Sequence, residues 1–352
     1  MSKKVNATIS KCVSCGDELV FNPDLNCLFC VSCKSRIEIK SKNNLTKHNL
    51  NDNNEIESIN NKDWAQQHKS MQCPNCGATS LLLNHDVSTS CAYCNTSLIA
   101  KNDQNNILQP DSIIPFGFGK QKAEEMFKEN LKNNWFVSKS FKKNISANEI
   151  NAYYFPAFLF DADCLSNYNG RLYKNEEFKD RNGLKEVRKK YFTINGTQIT
   201  NHRNIEVEAS NYLSQYELNA IRPYNFSLAK QFTNEYVFGY KLEKNSVSIM
   251  DSNKTAQRLI KDEIKDSVLK KYSYDGIENF ELQTIFSNEK YNYCVLPIYK
   301  INYSHKNKNY SNIMNGQTGK LAGDYPKSKA KIMFIILLIL MVFLLPILLF
   351  IL

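Results

Sequence analysis

Two Cys-x-x-Cys motifs decide the fold of one part of this chain: Cys73-Pro74-Asn75-Cys76-Gly77 and, after a gap of 14 residues, Cys91-Ala92-Tyr93-Cys94. Four thiolates at this spacing can surround one zinc ion in a tetrahedron. The glycine after the first pair allows the left-handed backbone that such a tight turn needs. The stretch therefore predicts a zinc ribbon, in which the ligands are Cys73, Cys76, Cys91 and Cys94.

The same pattern occurs earlier in the chain. Cys12-Val13-Ser14-Cys15-Gly16 matches the first motif and Cys30-Val31-Ser32-Cys33 matches the second, again with a gap of 14 residues. The repeat predicts a second structural Zn²⁺, bound by Cys12, Cys15, Cys30 and Cys33. One alternative stays open, because Cys27-Leu28-Phe29-Cys30 is also a Cys-x-x-Cys motif. The repeat favours Cys30 and Cys33 as ligands and leaves Cys27 as a spare thiol.

The cysteines favour binding over catalysis. Four thiolates fill the coordination shell of zinc and leave no open position for a water molecule, so both sites are expected to be structural. Cys164 and Cys294 lie in or beside apolar runs without a nearby His, which is typical of buried thiols. The stretch Asn315-Gly316-Gln317-Thr318-Gly319-Lys320 lacks the spacing of a phosphate-binding loop. We therefore predict that the protein is not an enzyme.

The composition indicates a mildly basic, reduced protein. The 352 residues carry a formal charge of +10, and two four-thiolate zinc sites, at −2 each, lower it to +6. This charge suits an anionic partner without requiring nucleic acid. The start Met1-Ser2-Lys3-Lys4 has no apolar core of a signal peptide.

Changes in composition along the chain predict an α+β protein made of six segments. They are a first zinc ribbon at 1–40, a flexible Asn-rich linker at 41–70, a second zinc ribbon at 71–101, an α+β domain at 102–326, a basic flank at 327–331 and a transmembrane tail at 332–352. Trp64 is an apolar exception in the linker, and we expect a small helix around it that packs on the second ribbon.

The α+β domain has the pattern of an internal duplication. A predicted helix at 120–134 precedes the apolar run 153–160, and a predicted helix at 254–271 precedes the similar run 293–299. Arg222-Pro223-Tyr224 resembles Pro115-Phe116 ahead of the first helix. Two further strands are predicted at 190–194 and 205–209, and Asn195-Gly196 is predicted to be a turn after the first of them. We expect a helix packed on an antiparallel sheet, used twice.

The C-terminal 21 residues, 332–352, are apolar and uncharged. As a helix they would be about 31 Å long, enough to cross a bilayer. Lys327, Lys329 and Lys331 stand before them. This predicts a single-pass membrane protein with a C-terminal tail anchor and residues 1–331 on the cytoplasmic side.

Several motifs resemble a known family. The ribbon at 73–94, the strand 153–160, Leu296-Pro297-Ile298, and the stretch 315–326 with its Asn-Gly-Gln-Thr-Gly element are similar to uncharacterised, membrane-anchored zinc-ribbon proteins. Relatives are often labelled replication-restart helicases on the ribbon alone, and this chain has no helicase motor motif. The resemblance covers about four fifths of the chain and implies an architecture without implying an activity. The extra ribbon at 12–33 departs from the family's pattern.

Two functional hypotheses follow. The first is a membrane-tethered, non-catalytic adaptor that binds a protein partner on the cytoplasmic face. The alternative is a membrane-tethered nucleic-acid-binding protein, which would use the basic residues Arg188, Lys189 and Lys190.

Overall fold

The structure is a computed structural model. It describes residues 11–43, 45–50, 62–83, 90–91, 93–94, 96–101, 108–143, 149–179 and 185–351, with the side chains of the C-terminal helix described as far as Val342. The parts of the predicted segments at 1–10, 51–61, 102–107 and 352 lie outside the described residues.

Within this part of the chain the fold is α+β. The helices are α1 (Lys62–Gln67), α2 (Lys120–Asn133), α3 (Lys139–Lys143), α4 (Gln215–Ile221), α5 (Ile249–Leu269) and α6 (Lys329–Ile351). The first eight strands are β1 (Leu19–Asn22), β2 (Cys27–Cys30), β3 (Arg36–Glu38), β4 (His48–Asn49), β5 (His68–Gln72), β6 (Thr79–Leu83), β7 (Ile99–Lys101) and β8 (Ser112–Ile113). The others are β9 (Glu149–Lys179), β10 (Lys185–Glu208), β11 (Lys230–Gln231), β12 (Lys241–Glu243), β13 (Gly276–His305), β14 (Lys308–Asn315) and β15 (Leu321–Gly323).

The strands form a small sheet and a large one. The small sheet, β1-β2-β3, is antiparallel and belongs to the first ribbon. The large sheet runs in the order β11-β8-β13-β9-β12-β6-β5-β7, with β10 on β9 and with β14 and β4 on β13. Its central pair, β9 and β13, is antiparallel from Glu149 opposite Asn302 to Tyr173 opposite Gly276.

The inner part of the central pair is buried on both faces. Along β9, Tyr154 and Phe158 join one hydrophobic core, whereas Phe155 and Leu159 join a second core on the other side. Since side chains alternate between the faces of a strand, an unbroken apolar run is the pattern of a strand covered on both sides. The apolar runs predicted at 153–160 and 293–299 thus lie side by side at the centre of the sheet.

Helices α2 and α5 cover the sheet with one apolar stripe each. In α2 the stripe is Ala123, Phe127 and Leu131, spaced by four residues. In α5 it includes Ile260, Ile264 and Val268, which pack on the outer part of the sheet. Ser248 starts α5 earlier than predicted, because its hydroxyl accepts a hydrogen bond from Asp251 N (3.1 Å).

Each half of the domain contains a short strand, a helix and a long strand, and the short strand of each half pairs with the long strand of the other. The first half contains β8, α2 and β9, and the second contains β12, α5 and β13. β8 pairs in parallel with β13, and β12 pairs in parallel with β9. Each half therefore places its short strand beside the long strand of the other half. In this arrangement β12, and not the predicted Arg222-Pro223-Tyr224 segment, takes the position that corresponds to β8.

The outer parts of β9, β10 and β13 form a long three-stranded arm, and here the predicted turn at Asn195-Gly196 is wrong. Both residues lie inside β10, opposite Asn169 and Tyr168. A Cβ atom at Gly196 would come within 2.6 Å of the Tyr168 hydroxyl oxygen. The glycine therefore makes room for a tyrosine of the neighbouring strand. Close approach of a neighbouring group is, like a turn, a reason for glycine at such a position.

The described parts of the predicted linker lie against the domain. β4 pairs with β13, and Gln231 N donates to Lys42 O (2.9 Å). Trp64 lies in the predicted short helix, but its ring packs edge-on against Phe232, with the centroids 5.3 Å apart, and joins the core on that side of the sheet. Trp64 also lies against the His68 ring, with the centroids 3.6 Å apart, at the start of β5, which pairs with β6 and β7 of the second ribbon. The helix therefore contacts the α+β domain as well as the sheet of the second ribbon.

The Asn-Gly-Gln-Thr-Gly element, residues 315–319, holds the loop at residues 221–225 against the sheet by hydrogen bonds. Asn315 Nδ2 donates to the carbonyl oxygens of Ile221 (3.0 Å) and Pro223 (3.2 Å), and Asn315 Oδ1 accepts from Gln317 N (2.8 Å) and Thr318 N (3.0 Å). The Gln317 side chain then bonds both backbone groups of Asn225. The element has a structural role, because its polar atoms are used within the fold.

The prediction of a transmembrane tail at 332–352 is wrong on the described residues. α6 is present, but no helix in the described part of the chain is both long enough and apolar enough to cross a membrane. The part of α6 whose side chains are described, residues 329–342, is about 21 Å long, whereas the hydrocarbon core of a bilayer is about 30 Å thick. The single-pass membrane location, with residues 1–331 on the cytoplasmic side, depended on this span and is corrected with it.

The hydrogen bonds of the Asn315 side chain lead to a stability prediction. Asn315→Ala removes four hydrogen bonds and leaves buried backbone groups unpaired, so we expect the free energy of unfolding to fall by about 2–4 kcal/mol. Urea denaturation followed by circular dichroism measures this change. Asn309→Ala, at an exposed position of the same strand, is the control and should change stability by less than about 0.5 kcal/mol. Equal effects of the two variants would contradict the structural role of the element.

Candidate metal centres

The structure brings the eight predicted cysteines together as two clusters of four. In the first cluster the ligand atoms of Cys12, Cys15, Cys30 and Cys33 all lie within 4.8 Å of one another. The Sγ atoms of Cys12 and Cys33 are 3.5 Å apart, as are those of Cys15 and Cys30. The first cluster could therefore hold one metal ion.

The second cluster has the same geometry. Cys73, Cys76, Cys91 and Cys94 meet the same 4.8 Å limit, with Sγ separations of 3.4 Å for Cys73–Cys94 and 3.5 Å for Cys76–Cys91. A tetrahedral ion with metal–sulfur bonds of about 2.3 Å keeps its sulfurs about 3.8 Å apart. Both clusters fit an ion of this kind, and their all-thiolate donor set suits a soft or borderline metal.

Local backbone hydrogen bonds shape each knuckle. Gly16 N donates to Cys12 O (2.8 Å), and Gly77 N donates to Cys73 O (2.9 Å). These glycines have φ values of +77° and +78°, in the region that favours glycine. The tight turns direct both sulfurs of a pair to one point, as the two sequence motifs predict.

Cys27 lies outside the first cluster. It begins β2, where it pairs with Asn22 on one side and Glu38 on the other, and its side chain is buried. The structure thus groups Cys30 and Cys33 with the first pair, which is the arrangement that the repeat favoured.

The environment of Cys12 favours its thiolate form. Hydrogen bonds from the backbone N–H groups of Ser14 and Cys15 lower the pKa of the Cys12 thiol to about 6. Thiolates are the form in which cysteine binds metal ions. In the domain, burial acts the other way on two thiols outside the clusters and raises the pKa of Cys164 to about 11 and that of Cys294 to about 12. Both surroundings are those of buried thiols.

One segment of the domain, residues 236–243, contacts both ribbons. On the first ribbon, Phe21 N donates to Phe238 O (2.9 Å), and the Phe21 and Tyr236 rings meet edge-on at 5.2 Å between centroids. On the second ribbon, β6 pairs with β12, so that Leu81 lies opposite Leu242. Both metal centres are therefore fixed to the same part of the α+β domain.

Glu243, at the end of this segment, is a buried carboxyl that the sequence did not single out. Both of its oxygens accept short hydrogen bonds, from the Tyr93 and Ser210 hydroxyls. Tyr93 lies between the ligands Cys91 and Cys94, so this contact joins the second metal centre to β12. Burial raises the pKa of Glu243 well above its ordinary value, and the charge of Lys300 opposes this shift only in part.

The basic stretch near Arg188 lies on the arm. The Arg188 guanidinium is 2.7 Å from a Glu186 carboxylate oxygen, and Lys190 Nζ is 2.9 Å from one of Glu176. Lys189 lies over the Tyr173 ring, 4.3 Å from its centroid. Two of the three positive charges are therefore paired with acidic side chains.

Comparison with known proteins gives one relative along nearly the whole chain. The chain is 23% identical to "Uncharacterized protein YdjG" of Bacillus subtilis (strain 168). The match spans 323 residues, which are 92% of this chain and 91% of that protein. No protein-family model matches the chain, and no solved structure matches it. The relative is described as uncharacterised, so the similarity assigns no activity.

The buried Glu243 leads to a pH-dependence prediction. Above the ordinary Glu pKa of 4.5, the folded protein keeps a proton that the unfolded chain releases, so this group makes stability fall as the pH rises, by at most about 1.4 kcal/mol per pH unit. Glu243→Gln stays neutral and should remove this part of the slope. Urea denaturation at pH 5.5, 7.0 and 8.5 measures the slope.

Metal binding also depends on pH, so the difference between the Glu243→Gln and wild-type curves is the quantity of interest. Glu186→Gln, which removes an exposed carboxylate on β10, is the control and should leave the slope unchanged. Parallel wild-type and Glu243→Gln curves would show that Glu243 has an ordinary pKa.

Proposed function

We propose that the protein is a non-catalytic adaptor that binds a protein partner through its ribbons and the adjoining surface of the α+β domain, with a structural zinc ion in each ribbon. The observation that carries this proposal is the pair of closed four-cysteine clusters fixed to one segment of the domain, residues 236–243. Such an assembly is a rigid surface with two metal-stabilised modules.

Zinc is the metal that best suits these sites. It prefers a tetrahedral shell, and four thiolates complete that shell without an open position. A closed site cannot activate water or polarise a substrate, so its contribution is to fold the ribbon. The Sγ atoms of Cys12–Cys33, Cys15–Cys30, Cys73–Cys94 and Cys76–Cys91 lie 3.4–3.5 Å apart, which is compatible with such a shell.

The surface charge supports a protein partner over nucleic acid. Nucleic-acid binding draws on lysines and arginines that are free to contact phosphates. Arg188 and Lys190 on the arm are each paired with a glutamate of the same sheet. Each pair has to open before its cation contacts a phosphate, and nucleic acid is the alternative outcome of the test below.

Metal removal tests the zinc proposal. Mass spectrometry of the intact native protein should give two zinc ions per chain, and one in a Cys73→Ser/Cys76→Ser variant. Chelation should unfold the ribbons, because each has too small a core without its metal, and should leave the central strands folded. Hydrogen exchange measures this difference: β1–β3 should lose protection, whereas 153–160 and 293–299 should keep it. Equal loss of protection in both regions would contradict the modular role of the metal.

Affinity purification of the tagged full-length protein from cell extract tests the adaptor proposal. We expect a stoichiometric protein partner that is lost in Cys73→Ser/Cys76→Ser or in Cys12→Ser/Cys15→Ser, depending on which ribbon it contacts. Cys164→Ser, at a buried thiol outside both clusters, is the matched control and should keep the partner. Co-purifying material that is nuclease-sensitive and released steeply by salt would support nucleic acid instead. Recovery that is independent of both ribbons would overturn the proposal.

A further inference from the structure

A cleft of about 380 Å³ lies beside the second metal centre, between Tyr93 of the ribbon, helix α4 and the end of the sheet. Its walls include Tyr153, Tyr212, Tyr216 and Lys300. A second hollow of about 490 Å³ adjoins it and shares Tyr93 and Lys300. Volumes of this size are those of ligand sites, and the walls combine aromatic rings with a few polar groups.

Lys300 gives the cleft a positive charge that forms no ion pair within the described part of the chain. Its Nζ lies 5.1 Å from the centroid of the Tyr93 ring and 5.2 Å from that of Tyr212. Among the described residues, no carboxylate forms an ion pair with it and no acceptor forms a hydrogen bond with it. Burial lowers the pKa of Lys300, while Glu217 and the thiols of the second cluster act against this shift. The ammonium has donors available for a ligand.

Tyr153 adds a second unused donor to the same cleft. Its side chain is 1% exposed and its ring packs edge-on against Tyr93, with 4.8 Å between the centroids. Its hydroxyl is buried and has no hydrogen-bond partner within the described part of the structure. Since buried hydroxyls are normally hydrogen-bonded, the Tyr153 hydroxyl is a donor available to an acceptor bound in the cleft.

The rim limits the charge of the ligand. Glu217 and Asp324 both line the cleft. The Glu217 carboxylate accepts hydrogen bonds from Ser214 N (3.0 Å) and Ser214 Oγ (2.8 Å), so it is engaged in capping α4. Two carboxylates at the rim repel further negative charge, which disfavours a polyanion such as a phosphate chain. Tyr216, which is 83% exposed, extends the aromatic surface at the mouth.

We propose that this cleft binds a single carboxylate that lies next to an aromatic or aliphatic group. The carboxylate accepts hydrogen bonds from the Lys300 ammonium and the Tyr153 hydroxyl, and the apolar group lies against the rings of Tyr93, Tyr212 and Tyr216. In a protein partner, an Asp, a Glu or a chain terminus beside a large apolar residue supplies this chemistry; a small aromatic acid supplies it as well. The first source rests on the adaptor function proposed above and names the part of the partner that is bound.

Two probes separate the sources. The first is a library of random 12-residue peptides displayed on phage and selected on the zinc-loaded full-length protein, with the enriched peptides then synthesised for affinity measurement. The second is phenylacetate, followed by ligand-observed NMR. For a protein source we expect peptides with an acidic residue beside an aromatic or aliphatic one, and binding that weakens about tenfold or more in Lys300→Met. For a small-molecule source we expect phenylacetate alone to bind, with the same dependence on Lys300.

Matched variants separate ligand binding from a structural role of Lys300. Lys308→Met removes a lysine that also lies over a ring, that of Tyr310 at 5.4 Å, but that does not line either hollow; it should bind both probes like the wild type. Lys300→Arg keeps the charge and should retain part of the binding, and Tyr216→Ala should weaken binding without changing the fold. The zinc content of each variant is also measured. If Lys300 only balanced the negative charge of the second thiolate cluster, Lys300→Met would lower the zinc content, and the wild type itself would bind neither probe.

The outcomes decide between the proposals. Enriched peptides without acidic residues, no binding of either probe, or binding that is unchanged in Lys300→Met would overturn the inference. If these results came with a partner captured in a ribbon-dependent way, the cleft would be excluded and the adaptor function would stand. If phenylacetate bound through Lys300 but no partner were captured, the cleft would stand and the adaptor function would fail.

Discussion

Hydrogen bonding between β9 and β13 holds the two halves of the domain together, and most other contacts are built on it. The pair extends from Glu149 opposite Asn302 to Tyr173 opposite Gly276, and along its inner part both faces are covered. A strand pair with water on neither face loses much of its stability if either face is uncovered, because apolar burial on both sides supplies the main driving force. Helices α2 and α5, the ribbons and the loop held by Asn315 all cover parts of this pair.

The exchange of short strands extends this dependence to the whole domain. β8 belongs to the first half but pairs with β13, and β12 belongs to the second half but pairs with β9. The long strand of each half is paired with the short strand of the other half. The halves therefore cannot separate without breaking sheet hydrogen bonds at both of these strands. The ribbons join this arrangement through β12, because β6 of the second ribbon pairs with it and Phe21 of the first ribbon contacts the residues just before it.

Local patterns could be predicted from the sequence, and contacts between distant residues could not. The cysteine spacing indicated the two groups of four that the structure brings together, and the apolar runs indicated the central strands. Gly196 was misjudged as part of a turn because the tyrosine that needs its space is on another strand. The apolar run after Lys331 suggested a membrane span, but no helix of the described residues meets the requirements for one.

Neither Lys300 of the candidate cleft nor the buried carboxyl of Glu243 belongs to a sequence motif. Glu243 stands between Lys241 and Lys244, and Lys300 interrupts an apolar strand; for charged residues like these a solvent-exposed position is the ordinary expectation. Their environment is set by Tyr93, which lies more than a hundred residues earlier in the chain. Only folding brings these groups together, so a motif search on the linear sequence does not reveal them.

The position of β12 in the chain has a consequence for the order of events during synthesis. The second ribbon ends with β7 at Lys101, whereas its docking strand is Lys241–Glu243, about 140 residues later. At about 5–20 residues per second, a ribosome needs roughly 7–30 s to cover that distance. During this interval the ribbons lack the segment 236–243 on which they dock, so Tyr93 has no Glu243 and Phe21 has no Tyr236 to contact. The metal-bound knuckles are then the part of each nascent ribbon that can keep it folded until the rest of the sheet emerges.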